Sequence, residues 1–178
     1  MYELKNNRKG IILAGGAGTR LFPITRSISK HLLPIYDKPM IYYPLSTLMI
    51  AGIKEFLIIT SERDINAYRS LLGNGDTWGI KIEYGTQEKP NGIAEAMLIG
   101  EKFLNGSSSA LILGDNIFFG NDLPAILKRT SSQEDGATIF AYRVSDPERY
   151  GIVSFDESNL AASIEEKPSK PQSNFAIT

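Results

Sequence analysis

In the stretch Gly10-Ile11-Ile12-Leu13-Ala14-Gly15-Gly16-Ala17-Gly18-Thr19-Arg20-Leu21, an apolar run passes straight into a glycine-rich loop that ends in an arginine. Glycines let the backbone approach a ligand closely and turn successive N–H groups inward. A cluster of N–H groups suits phosphate oxygens, and the Arg20 guanidinium can take two of them at once. Two familiar phosphate loops do not fit the spacing. A P-loop needs Lys-Ser/Thr after its last glycine, whereas Thr19-Arg20 follows here. The dinucleotide fingerprint needs a third glycine and an immediate helix, whereas Pro23 follows soon after Leu21. The loop is read as a phosphate grip in another fold context. The bland alternative is that its small residues only allow tight packing.

Ligands in open α/β sheets bind at the carboxyl ends of strands. That rule selects residues 15–20 after the first strand, residues 114–116 after the fourth, and Thr86-Gln87 after the third. Asp115 follows the apolar run Ala110-Leu111-Ile112-Leu113-Gly114 and is placed to hold Mg²⁺, which takes one or two carboxylates plus phosphates. The other reading is an aspartate that caps a turn. Lys30, flanked by apolar residues and pinned by Pro34, is either aimed at a phosphate or solvated. Glu166 and Lys167 close a strand; they are a solvated end, or a hydroxyl acceptor and a phosphate partner. His31 is the only histidine and there is no cysteine, so a zinc site has no ligand set. A solvated or core-satisfied histidine is the default, and Trp78 reads as packing.

The elements that must position these residues alternate along the chain, which predicts a parallel sheet with helices on its faces. Strands are expected over residues 10–14, 55–60, 80–84, 109–113 and 137–142, with a hairpin over 152–155 and 160–165 and an extended run over 174–177. Helices are expected from Pro39 to about Ala51, then over residues 64–72, 92–104 and 123–129. The connection over residues 15–38 is long, and loops of that length inside compact domains are functional or disordered; its seven apolar residues argue for function.

At 178 residues, with 42% apolar and 22% charged side chains, one α/β domain with a real core is expected. A formal net charge of −1 gives no sign of a nucleic-acid or membrane surface. The start, residues 1–9, is polar and lacks the apolar core of a signal peptide, and no apolar run is long enough to span a bilayer. A cytoplasmic enzyme or binding domain is the expectation.

Taken together, the motifs resemble those of the sugar-1-phosphate nucleotidylyltransferases. Residues 9–21 and 32–45 carry the resemblance, with Leu113-Gly114-Asp115-Asn116, Asp146-Pro147-Glu148-Arg149-Tyr150-Gly151 and Glu165-Glu166-Lys167-Pro168. It implies a Rossmann-like three-layer α/β/α fold with a mostly parallel mixed sheet. It also implies one nucleotidyltransferase domain over residues 1–178, with a nucleotide-binding part (9–120) and a partial sugar-phosphate-binding part (121–178). The implied reaction joins dTTP to glucose 1-phosphate with Mg²⁺, releasing pyrophosphate. By resemblance, Gly15, Gly16, Gly18 and Thr19 cradle the triphosphate, Arg20 stabilises the leaving pyrophosphate, and Lys30 stands beside the phosphates. Leu13 lines the nucleoside, Gln87 and Gly92 read the thymine ring, and Asp115 is the first metal carboxylate. Gly151, Glu166 and Lys167 hold the sugar and its phosphate, with Tyr150 close by. Two departures stand out. His31 occupies a position where the family usually has glutamine. Family members also continue past the equivalent of Thr178, with a second metal aspartate, further sheet, and helices used in homo-oligomer contacts. Low or absent turnover is therefore one expectation. The alternatives are a binding module for nucleotide or sugar phosphate, and a nicotinamide-dependent dehydrogenase, which the failed fingerprint spacing argues against.

Overall fold

Residues 9–13 offer no polar face, and β1 (Lys9–Leu13) accordingly lies between two other strands, with Ile11 and Ile12 fully buried on its opposite sides. The computed structural model describes residues 7–16, 18–89, 91–133 and 135–177. Ala17 of the glycine loop, Thr178 and residues 1–6 of the polar start lie outside the described residues. Two compact units divide the chain, residues 1–134 and 135–178.

In the first unit the long connection after β1 is built from short 3-10 turns at Thr19–Leu21, Ile24–Arg26 and Lys30–Leu32. A small hairpin follows, β2 (Pro34–Ile35) against β3 (Lys38–Pro39), with Tyr36 at its tip at φ 60°. Then come α1 (Tyr42–Ile50), β4 (Glu55–Thr60), α2 (Ile65–Leu72), β5 (Lys81–Thr86), α3 (Ala94–Ile99), α4 (Glu101–Leu104), β6 (Ser109–Leu113) and α5 (Leu123–Ser131). The four long strands form one parallel sheet in the order β5-β4-β1-β6. Ile12, Phe56 and Ile58 pack on one face with Leu45 and Leu48 of α1 and Tyr68 and Leu72 of α2. Ile11, Leu57 and Ile59 pack on the other with Ala96 of α3 and Leu104 of α4. Helices thus cover both faces, the expected three layers.

The second unit is an antiparallel sheet. Its strands are β7 (Ala141–Arg143), β8 (Gly151–Phe155), β9 (Ala161–Glu166) and β10 (Phe175–Ile177), in the order β7-β10-β8-β9. β7 is shorter than the expected strand over residues 137–142 because only residues 141–143 have β10 opposite them.

Two further departures have local causes. Pro39 does not open a helix: it pairs with Pro34 in the hairpin, and Pro44 fills the first-turn place in α1, where a missing N–H costs nothing. The helix expected over residues 92–104 is two helices separated at Gly100. A Cβ at Gly100 would stand 2.7 Å from the Ile11 Cδ1, so glycine here lets the helical backbone come down onto β1. Gly100→Ala should therefore cost about 1–3 kcal/mol through overpacking, read as a lower urea midpoint at unchanged m-value. An unaltered midpoint would show that Ile11 yields without cost.

Candidate active site

The register of the parallel sheet decides which loops meet. Leu13 lies opposite both Ile59 and Leu113, so the chains after β1, β4 and β6 leave the sheet at one level. The ladder runs one residue further on each side: the Ala14 N–H donates to the Ile59 carbonyl at 2.7 Å, and the Gly114 N–H to the Leu13 carbonyl at 2.9 Å. The Gln87 N–H donates to the Thr60 carbonyl at 2.9 Å and carries the same level past β5. An open cleft of about 210 Å³ results, lined by Leu13, Gly16, Lys30, His31, Gln87, Gly92, Ile93, Leu113 and Asp115.

Lys30 and Asp115, 85 residues apart in sequence, form a partly buried ion pair at this cleft. Burial alone pushes the Asp115 carboxyl up, but the hydrogen bond and charge of Lys30 outweigh it, and the net displacement is downward. The carboxylate is therefore ionised at neutral pH. The glycine loop lies against the lysine: a Cβ on Gly16 would stand 3.6 Å from Lys30 Nζ. Gly18 has φ 62°, and a Cβ there would meet Thr25 Cγ2 at 2.9 Å and Lys30 Cβ at 3.2 Å, so both conformation and space call for glycine. Thr25 Oγ1 donates to the Gly18 carbonyl at 2.8 Å and fixes the loop's far end.

Beneath the loop, His31 is 2% exposed, and its Nδ1 is 3.1 Å from both Ser29 Oγ and Tyr68 Oη. Burial, and then the positive charge of Lys30, lower its pKa to about 4 despite the opposing pull of Asp115. It is the core-satisfied histidine of the default reading, neutral near pH 7, yet its ring also walls the cleft. A Cβ on Gly114 would stand 2.8 Å from His31 Cδ2, so the ring packs directly on the end of β6.

The structure thus brings Leu13, Gly16, Lys30, Gln87, Gly92 and Asp115 into one cleft. Gly15 lies beside them under Gln87, whose Oε1 is 3.0 Å from where a Gly15 Cβ would be. Thr19 and Arg20 sit on an exposed 3-10 turn and, with Gly18, are not among the lining residues. In the second unit, β8 pairs Gly151 with Glu166, the Lys167 N–H donates to the Tyr150 carbonyl at 2.9 Å, and Lys167 Nζ lies 3.0 Å from Glu166 Oε1. Those four residues form one cluster at the end of the β8–β9 pair. Sequence reasoning missed Glu95, which accepts from Gln87 Nε2 at 2.6 Å, and Tyr68 under His31. Each is remote in sequence from the residue it holds, and each reads alone as an ordinary helix residue.

Among the described residues no group of three or more acids or histidines is placed to hold a metal ion. Asp115 offers one ionised carboxylate on the cleft wall, which fits a divalent ion that draws its other ligands from phosphate and water. No helix of the described residues is long and apolar enough to cross a membrane.

Comparison with known proteins agrees with this geometry. The family described as Nucleotidyl transferase matches residues 9–178. A glucose-1-phosphate thymidylyltransferase of Neisseria gonorrhoeae is 56% identical over 170 residues, which cover 96% of this chain and 59% of the relative. The chain therefore spans somewhat under three fifths of that relative's length. Among solved structures, a provisionally named glucose-1-phosphate thymidylyltransferase from Bacillus anthracis, in complex with sucrose, superposes with TM-score 0.88 at 40% identity, covering 96% of this chain and 69% of that one. A UDP-glucose pyrophosphorylase complexed with UDP-glucose superposes with TM-score 0.80 at 26% identity, covering 96% and 73%.

The buried imidazole makes stability pH-dependent. Above the ordinary histidine value of 6.5 neither state is protonated; below it the unfolded chain binds a proton that the folded ring refuses until about pH 4. Stability should fall as pH drops through that window, by roughly 3 kcal/mol from this group. Urea unfolding between pH 7.5 and 4.5 checks it: His31→Gln should flatten this limb. An equal slope in both proteins would remove His31 as its source.

Proposed function

Because this chain belongs to the nucleotidyl transferase family, we propose that it carries the nucleotide half, and part of the sugar-phosphate half, of a site joining dTTP to α-D-glucose 1-phosphate. The observation that carries the reading is the Lys30–Asp115 pair beside a glycine loop, at the carboxyl ends of adjacent parallel strands. The pairing of base and sugar is drawn from the relatives' names. On this reading residues 1–178 act as one nucleotidyltransferase domain, and the reaction takes place in the cytoplasm.

A phosphate oxygen of the sugar 1-phosphate attacks the α-phosphorus in line; the new P–O bond forms as the bond to the β-phosphate oxygen breaks, and pyrophosphate carries away the charge. Positioning and charge neutralisation are the main demands of such a step. The backbone N–H groups of Gly15, Gly16, Gly18 and Thr19 hold the triphosphate, and Arg20 faces the charge that grows on pyrophosphate. Lys30 exchanges its contact with Asp115 for one with a phosphate oxygen. Asp115 would hold Mg²⁺, and the ion would supply charge that screens the triphosphate. Leu13 packs on the nucleoside, and Gln87 and Gly92 meet the base. In the second unit Gly151 and Glu166, beside Tyr150, take sugar hydroxyls, and Lys167 takes the sugar's phosphate.

One observation favours a second reading, a nucleotide-binding module of little activity: among the described residues Asp115 is the one acid lining the cleft, and Lys30 already engages it. Pyrophosphate release from dTTP plus glucose 1-phosphate with Mg²⁺ separates the two. The transfer reading expects turnover that Arg20→Ala and Asp115→Asn each lower by about 10²–10³. Nucleotide binding without turnover, with Asp115→Asn harmless to binding in metal-free buffer, selects the module.

A further inference from the structure

The side-chain amide of Gln87 has one chemically permitted orientation. Gln87 is 6% exposed, and one end of its amide faces two groups that only accept: a Glu95 carboxylate oxygen at 2.6 Å and the Gly92 carbonyl at 3.3 Å. That end must be the NH₂. Glu95 is held in turn, since its other oxygen accepts from Asn91 Nδ2 at 3.1 Å. Both Gln87 N–H bonds are thereby consumed. Its Oε1 lies over Gly15, 3.0 Å from the place a Cβ would occupy, and no described donor pairs with it. Gln87 and Gly92 both line the cleft, so Oε1 is the amide atom left for a ligand.

We propose that Glu95 is a positioning residue that turns Gln87 into an acceptor-only contact, so that the cleft selects a nucleobase presenting a ring N–H and rejects one presenting a ring acceptor. Thymine and uracil carry that N–H as an imide; cytosine has a bare nitrogen at the same ring position. Two acceptors facing each other leave both unpaired, and the wrong base bears that penalty. A neutral glutamine at position 95 would not impose the same constraint. It can donate as well as accept, so the Gly92 carbonyl, at the longer 3.3 Å, would be left to demand the NH₂ at that end by itself. The inference rests on the nucleotide-transfer reading, and adds to it the residue that sets the polarity of base recognition.

The test measures dissociation constants of the full chain for dTTP, dUTP and dCTP by titration calorimetry, for the native protein, Glu95→Ala and Glu95→Gln. The native protein should bind dTTP and dUTP alike and dCTP at least tenfold more weakly. Glu95→Ala, which leaves only the 3.3 Å contact with the Gly92 carbonyl to orient the amide, should weaken dTTP several-fold, leave dCTP unchanged or tighter, and so narrow the ratio. Glu95→Gln should fall between the two, and carries the comparison if the alanine variant does not fold. An equal loss for all three nucleotides, with the native ratio kept, makes Glu95 a structural residue only and overturns the proposal while leaving the transfer reading standing. A native protein that binds dCTP as well as dTTP also overturns the proposal alone. A native protein that binds none of the three overturns the transfer reading and this inference with it.

Discussion

The whole site depends on the parallel register of β1 between β4 and β6. Side chains alternate faces along a strand, so a slip of one residue would exchange Ile11 for Ile12 and put every core contact on the wrong side. The same slip would carry the glycine loop and Asp115 out of step by about 3.3 Å, enough to part Asp115 from Lys30. Burial on both faces therefore specifies the register that the chemistry needs. The core lies behind the cleft, meeting it at Leu13 and under His31, and it decides which loops face one another there.

The charges at that cleft compensate each other. A partly buried ion pair is weak evidence of stabilisation, because desolvation offsets much of the attraction. In the transfer reading its use is as a pair that a ligand can open: a polyphosphate is a better partner for Lys30 than one carboxylate is, and the carboxylate so released is free for a divalent ion.

Much of the scaffold was legible because strand signals are local. The strands at β4 and β6 have the bounds that their apolar runs predict, and β1 is displaced by one residue. The glycine loop and Asp115 were legible too, because each stands directly at the carboxyl end of such a strand. The features that escaped were tertiary in origin. Gly100 looked like a tolerated helix interior, and only its approach to Ile11 explains the break. Pro39 carried a good helix-start signal that a two-residue hairpin overrode. Ser29, two residues from His31, was within local reach, but Tyr68 joins the same ring from 37 residues away. Glu95 carries no local signal of its own; its meaning appears only with Gln87 against it.

The hydroxyl network beneath the loop has an electrostatic consequence. The Ala14 carbonyl, at the start of the glycine loop, accepts from Thr60 Oγ1 at 3.3 Å, and Thr60 is fully buried. Ser29 Oγ lies 2.9 Å from Tyr68 Oη, and both reach His31 Nδ1. Burial pushes the Tyr68 phenol up to about 12 and the His31 imidazole down to about 4, so between those values the layer carries no charge. It anchors the loop with neutral dipoles and leaves the field in the cleft to Lys30 and Asp115. A charged anchor in the same place would compete with phosphate for the loop's N–H groups or for Lys30, and its field would change as it titrated. On the transfer reading, neutral anchoring orients the loop before a ligand arrives, which is the condition under which fixed dipoles assist a reaction without first having to reorganise.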